Sequence, residues 1–155
     1  MKFESISEDK FRVFYPFFDK KELDYENKEE LKKLLLEVLT KIKKLYSISI
    51  TGFYEVKVNV LGILGLDLEF SKLDSDIFSS KVIDLKIIIY LNPLFYLCFD
   101  NYDVISSYEL VYFYNDKFFV PGSLVKEEDF YNLSEWYSIF YDNNNEIIYS
   151  KLLYS

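Results

Sequence analysis

The chain contains no histidine, no alanine and no glutamine, and only one arginine (Arg12), one cysteine (Cys98) and four glycines among 155 residues. Each shortage closes off a class of chemistry. Without histidine there is no Ser-His or Cys-His nucleophile pair and no imidazole ligand for a metal. One arginine cannot build the guanidinium clamps on phosphate that tyrosine recombinases need, so the 15 tyrosines are not read as nucleophiles. Four glycines, none followed by Lys-Ser or Lys-Thr, supply neither a phosphate-binding loop nor a dinucleotide fingerprint. A lone cysteine forms no internal disulfide, which argues for a reducing compartment. Cys98 sits in the apolar run Leu94 to Phe99 with no Lys or Arg beside it, and is expected to be buried and inert. The opening Met1-Lys2-Phe3-Glu4-Ser5 lacks the apolar core of a signal peptide. The longest apolar region, Ile83 to Phe99, is broken by Asp84, Lys86, Asn92 and Pro93, which reads as a pair of strands around a turn and not a membrane span. A cytoplasmic, non-enzymatic protein is expected, with no catalytic residue, no metal and no cofactor.

What the chain does have is aromatic surface. Tyr, Phe and Trp make up 20% of it, as 15 Tyr, 15 Phe and one Trp. A tyrosine hydroxyl needs a partner when buried, so many of these rings belong at the boundary between core and water, where interfaces recruit them. AT-rich codons also favour Tyr, Phe, Ile, Asn and Lys, which points to a low-GC bacterium, or a phage or mobile element living in one. The length suggests a single domain, 1–155, with one core.

Hydrophobic spacing predicts an α+β fold, mainly an antiparallel sheet of hairpins packed by one long helix, with a second helix near the C-terminus. Lys2 to Ile6 and Lys10 to Phe18 flank the polar turn Ser7-Glu8-Asp9, and Pro16 marks the end of the second arm. Asn27 as cap and Glu30 three residues later open a helix over 28–46, whose apolar stripe is Leu31, Leu34, Leu35, Val38, Leu39, Ile42 and Leu45. A second hairpin alternates Tyr54, Val56, Val58 and Val60, turns at Gly62 and Gly65, and returns through Leu66, Leu68 and Phe70, each strand having one dry and one wet face. Strands follow at 82–91 and 94–99. A third hairpin over 108–120 turns on Asn115-Asp116. The second helix is expected over 126–140, with Glu127, Glu128 and Asp129 in its first turn and Phe130, Leu133, Trp136, Tyr137 and Phe140 on its apolar side. Asn143-Asn144-Asn145 reads as a turn and Ile147 to Tyr154 as a last strand or a docked tail.

The net charge of −8 is unevenly spread. Residues 98–155 hold ten acidic side chains against three lysines, together with nine tyrosines, whereas residues 27–46 hold six lysines against three glutamates. A negative field rich in hydrogen-bonding rings repels nucleic acid and attracts a basic protein surface. The expected partner-binding residues are Asp100, Tyr102, Asp103, Tyr108, Glu109, Asp116, Glu127, Glu128, Asp129 and Tyr131. Trp136 is a further anchor candidate, although a core position suits it better. The plainer reading of the same charge is a solvated surface that keeps the protein soluble. Asp67 with Asp84-Leu85-Lys86, and Glu55-Val56-Lys57, imitate the spacing of a divalent-metal nuclease core, but alternating charges on the wet face of any strand generate that pattern.

The opening Met1-Lys2-Phe3-Glu4-Ser5-Ile6, followed by the hairpin, capped helix and hairpin over 1–71, resembles the start of MecA-type adaptor proteins. Phe99-Asp100-Asn101-Tyr102-Asp103-Val104-Ile105 resembles the beginning of that family's second domain. The resemblance implies a protein-binding role, delivering substrates to a Clp unfoldase through an N-terminal substrate domain and a C-terminal ATPase-docking domain. The leading expectation is an acidic inhibitor that occupies a basic, nucleic-acid-binding surface of a partner protein, such as a phage inhibitor of a defence nuclease of the anti-CRISPR type. A MecA-like adaptor and a divalent-metal nuclease are the alternatives. Exposed strand edges leave a homodimer open.

Overall fold

The computed structural model describes residues 1–16, 27–62, 64–73, 83–91, 93–142 and 151–153. They form two compact units, Met1–Leu91 and Asn92–Ser155. Together they make an α+β protein of two mostly antiparallel five-stranded sheets, one long helix and one short one.

The first unit contains β1 (Lys2–Ser7), β2 (Lys10–Pro16), α1 (Lys28–Tyr46), β3 (Gly52–Val60), β4 (Gly65–Lys72) and β5 (Ile83–Leu91), with sheet order β1-β2-β4-β3-β5. The first hairpin forms as its alternation predicts, and β2 is described as far as Pro16, which is paired with Gly65 of β4. Residues 17 and 18 of the expected second arm lie outside the described residues. Helix α1 starts where its cap places it: the Asn27 Oδ1 accepts the Glu30 N–H at 3.2 Å. Its buried stripe is Leu31, Leu35, Val38, Leu39 and Ile42. These side chains cover Phe11 and Val13 of β2, Val56, Val58 and Val60 of β3, and Leu66, Leu68 and Phe70 of β4. Leu45 departs from the expected stripe and is 69% exposed. The neighbouring Tyr46 ring makes the contact with the sheet instead, 4.6 Å from the Phe3 ring, which leaves Leu45 to water.

Strands β3 and β4 form the second hairpin. The chain turns at Gly62 (φ 62) and enters β4 at Gly65 (φ 151), where a Cβ would stand 2.5 Å from the Tyr15 carbonyl oxygen. Only glycine lets β4 approach the end of β2 that closely. Strand β5 corrects one expectation. It does not pair with the strand after Asn92-Pro93 but runs parallel to β3, from Gly52↔Ile83 to Val60↔Leu91. A parallel partner must be non-local, and β3 offered a long apolar edge where four residues of the next strand could not.

The second unit contains β6 (Tyr96–Phe99), a 3-10 turn (Tyr102–Ile105), β7 (Val111–Tyr114), β8 (Lys117–Pro121), a 3-10 turn (Gly122–Leu124), α2 (Glu127–Asn132), β9 (Tyr137–Phe140) and β10 (Lys151–Leu153). Its sheet order is β10-β7-β8-β6-β9, antiparallel throughout. The β7–β8 hairpin turns on Asn115 (φ 50) and Asp116 (φ 60), the two left-handed positions of a tight hairpin turn. The second helix stops at Asn132, short of the expected 140. After a turn, Tyr137 to Phe140 form β9 on the free edge of β6, in register from Tyr96↔Phe140 to Phe99↔Tyr137. The aromatic spacing that imitates a helical stripe also fits a short strand, and completing the β6 ladder decides between them. Asn143-Asn144-Asn145 and residues 147–150 lie outside the described residues. Among the described residues no helix is long and apolar enough to cross a membrane.

Candidate protein-docking surface

The antiparallel register of the second sheet gathers a set of rings that no single segment displays. Cys98 pairs with Phe119, Phe119 with Tyr112, and Tyr96 with Phe140, so these side chains share one face. Cys98 and Phe119 are buried at its centre, while Tyr96, Tyr112, Tyr114 and Phe140 pack around them half-exposed. The Tyr96 and Tyr112 rings meet edge to face at 6.1 Å, and Phe119 and Phe140 at 5.4 Å. Asp142 lies close enough to Tyr96 that its charge adds to burial and to Tyr112 in raising the phenol pKa. Asp100 holds Lys117 at 3.2 Å and raises the ammonium pKa. Burial raises the Cys98 thiol, against the smaller opposing pull of Lys117 and a hydrogen bond with Ser138. A buried thiol of that kind is a packing group. An aromatic patch with charge at its border has the anatomy of an interface, rings inside and polar groups at the rim.

The sequence-predicted residues fall at several places in the same unit. Asp103 and Tyr102 open the first 3-10 turn, where the Asn101 Oδ1 accepts the Asp103 N–H at 2.9 Å. Tyr102 packs its ring on Phe118 at 5.5 Å. Asp100, Asp103, Glu109, Asp116 and Glu128 are exposed, and among the described residues only Asp100 has a cationic partner in an ion pair. Glu127, Glu128 and Asp129 form the first turn of α2, which has no side-chain cap, so they offset the open N–H groups there. Glu127 stays close enough to Tyr131 to reinforce the effect of burial in raising that phenol pKa.

Two of the expected anchors change character. Tyr108 is 9% exposed and donates its hydroxyl to the Asp129 Oδ2 at 2.5 Å. This pair fastens α2 to the segment before β7, and the Tyr137 hydroxyl fastens it again by donating to the Phe130 carbonyl at 2.5 Å. Trp136, better suited to the core by sequence, is 58% exposed in the turn between α2 and β9. Sequence reading missed Tyr96, Tyr112, Tyr114 and Phe140. The available signal was the alternation along 96–99, 111–114 and 137–140, which assigns faces only once the strand order is known.

The nuclease-like spacing is not assembled. The register sets Asp67 beside Asn59, and Asn59 beside Tyr90, whereas Asp84 lies beside Phe53. Six residues of β5 separate Asp84 from the Asp67 row, about 20 Å along a strand. Asp67 is 1% exposed and bonded to Arg12, while Asp84 and Glu55 stand about a salt-bridge distance, 4.0 Å, from Lys32 and Lys86. No group of three potential metal-binding side chains occurs among the described residues.

No protein-family model, no curated protein and no solved structure matches the chain.

Proposed function

We propose that the protein is a non-enzymatic binding module whose second unit docks onto a basic protein surface, one that otherwise binds nucleic acid, and so inhibits the partner. The observation that carries the reading is the coincidence in one unit of the ring-lined face around Cys98 and Phe119 with ten acidic side chains against three lysines. The rings supply apolar area with few rotatable bonds, and the carboxylates supply steering and discrimination against acidic surfaces. A phage-encoded inhibitor of a defence nuclease has this chemistry. The test is capture of partners from an extract of a low-GC bacterium, then salt titration and duplex-DNA competition on the recovered pair. The expected result is a basic partner that loses its nucleic acid when bound and is released as salt screens the charges. Glu127→Lys with Glu128→Lys should weaken the pair, and Asp129 is left alone because it holds Tyr108. A complex indifferent to salt and to this reversal overturns the reading.

The division of the chain at Leu91 and Asn92 favours a second reading, a two-part adaptor of the MecA type. It expects a Clp ATPase to be retained by the immobilised protein, and an extract from which no such ATPase binds counts against it.

A further inference from the structure

The two edges of the first sheet are built differently. On β1, Lys2 and Glu4 place charges along the edge, and the register shifts between Ser5 and Ser7, both devices that discourage another strand from adding on. The edge at β5 has no register shift, and its charges, Asp84 and Lys86, are confined to its first half. Among the described residues its one strand partner is β3, to which all nine of its residues pair without a bulge. From Ile87 to Leu91 it carries no charge and no proline. Ile83, Leu85, Ile87 and Ile89 reach the core face but stay half-exposed, and Leu91 is 63% exposed. A strand of nine residues spans about 30 Å, long enough to template another.

The sequence of β5 also identifies its partner. Paired antiparallel with itself across a twofold axis at Ile87, it matches all nine residues. Ile83 faces Leu91, Leu85 faces Ile89 and Ile87 faces itself on the helix-covered side; Asp84 faces Tyr90 and Lys86 faces Ile88 on the other. No like charges meet. Shifting the axis by one residue to Lys86 sets two ammonium groups against each other, and other shifts leave apolar residues unpaired. Charge supports the same choice of unit. Residues 1–91 hold 16 acidic and 15 basic side chains and are nearly neutral, whereas the acidic second unit repels its own copies. We infer that the β5 edge is a self-association surface, joining two copies of this chain into a continuous sheet across a twofold axis at Ile87. This inference is independent of what the second unit binds.

Sedimentation equilibrium on the full chain should give twice 18.6 kDa at high concentration, dissociating on dilution. Ile88→Lys sets a lysine opposite Lys86 of the second copy and should weaken the dimer by roughly tenfold or more, whereas Ile88→Glu sets a carboxylate there and should keep it. Because Ile88 also stands beside Lys57 of β3 in the same chain, the urea midpoint of each variant is measured at dilution, so that a change in the fold is told apart from a change in the pairing. With Cys98→Ser, Ile87→Cys should form an intermolecular disulfide on mild oxidation, because directly opposed antiparallel residues lie within disulfide reach. A monomer at all concentrations, a dimer that Ile88→Lys leaves intact, or equal loss with Lys and Glu overturns the inference.

Discussion

Removing the guanidinium of Arg12 should be among the most damaging single changes in the first unit. Arg12 on β2 donates through Nε to the Asp67 Oδ1 at 2.9 Å and through Nη2 to Oδ2 at 2.5 Å, a two-pronged bond across neighbouring strands. Asp67 is almost fully buried, while the Arg12 side chain keeps 23% of its surface in water. In Arg12→Met the carboxylate loses these two donors, and its burial keeps water from replacing them freely. Breaking a buried ion pair by removing one partner costs about 3–5 kcal/mol, and the partial exposure of Arg12 places this case at the lower end, about 3 kcal/mol. For a unit of this size that corresponds to roughly 12–24 °C in melting temperature. Trp136 lies in the second unit, so the assay is urea unfolding followed by far-ultraviolet circular dichroism, with amide exchange read at β3 and β4. Arg12→Met combined with Asp67→Leu removes the charge and its partner together and should return to within about 1 kcal/mol of the parent. The coupling between the sites is then the quantity measured. A single variant losing less than about 1 kcal/mol, or a double variant as unstable as the two singles summed, refutes the account.

Gly122→Ala should destabilise the second unit by about 1–3 kcal/mol in a thermal melt, because the added Cβ would stand 2.4 Å from the Phe95 ring; Phe95→Leu should recover part of the loss. Burial first, then the hydrogen bond and charge of Asp129, raise the Tyr108 phenol far above its ordinary 10.0. Its contribution to stability is therefore whole below about pH 10 and is lost as pH rises towards the folded value, and Tyr108→Phe should remove that alkaline slope in a pH series of urea midpoints. Cys98, buried with its thiol pKa raised, should react with iodoacetamide roughly tenfold or more slowly in the native protein than in urea.

Local signals were legible where they settle a structure locally. Helix α1 has an Asn27 cap and a stripe that repeats through Ile42, and the β7–β8 hairpin has two residues suited to positive φ at its turn. Neither needs a distant partner. Strand β5 does: its alternation shows which side chains face α1, but not that β3 accepts it in parallel. The segment 126–140 failed for a related reason. Phe130, Leu133, Tyr137 and Phe140 satisfy helical spacing, yet Tyr137 and Phe140 are claimed by the open ladder of β6, which lies nearly forty residues earlier. Arg12 and Asp67 are 55 residues apart, and Asp67 reads as one more charge on a wet strand face until the sheet order places its partner beside it. The ring-lined face around Cys98 was hidden in the same way, since it takes residues from four strands.

Acidity was legible without any contact because a field felt at a distance depends on the sum of charges and little on their exact placement. Ring contacts depend on register to within one residue. The two parts of the proposed docking surface should therefore separate in kinetics. Reversal of Glu127 and Glu128 should slow association and flatten its dependence on salt, leaving dissociation little changed. Tyr112→Ala, in protein whose circular dichroism is unaltered, should accelerate dissociation by an amount equivalent to about 2 kcal/mol while the salt dependence of association stays as it was. If both variants act on association alone, the rings are only the sheet's outer packing and the partner is held by charge. If Tyr112→Ala alone matters, the carboxylates serve solubility, and the basic-partner reading fails with them.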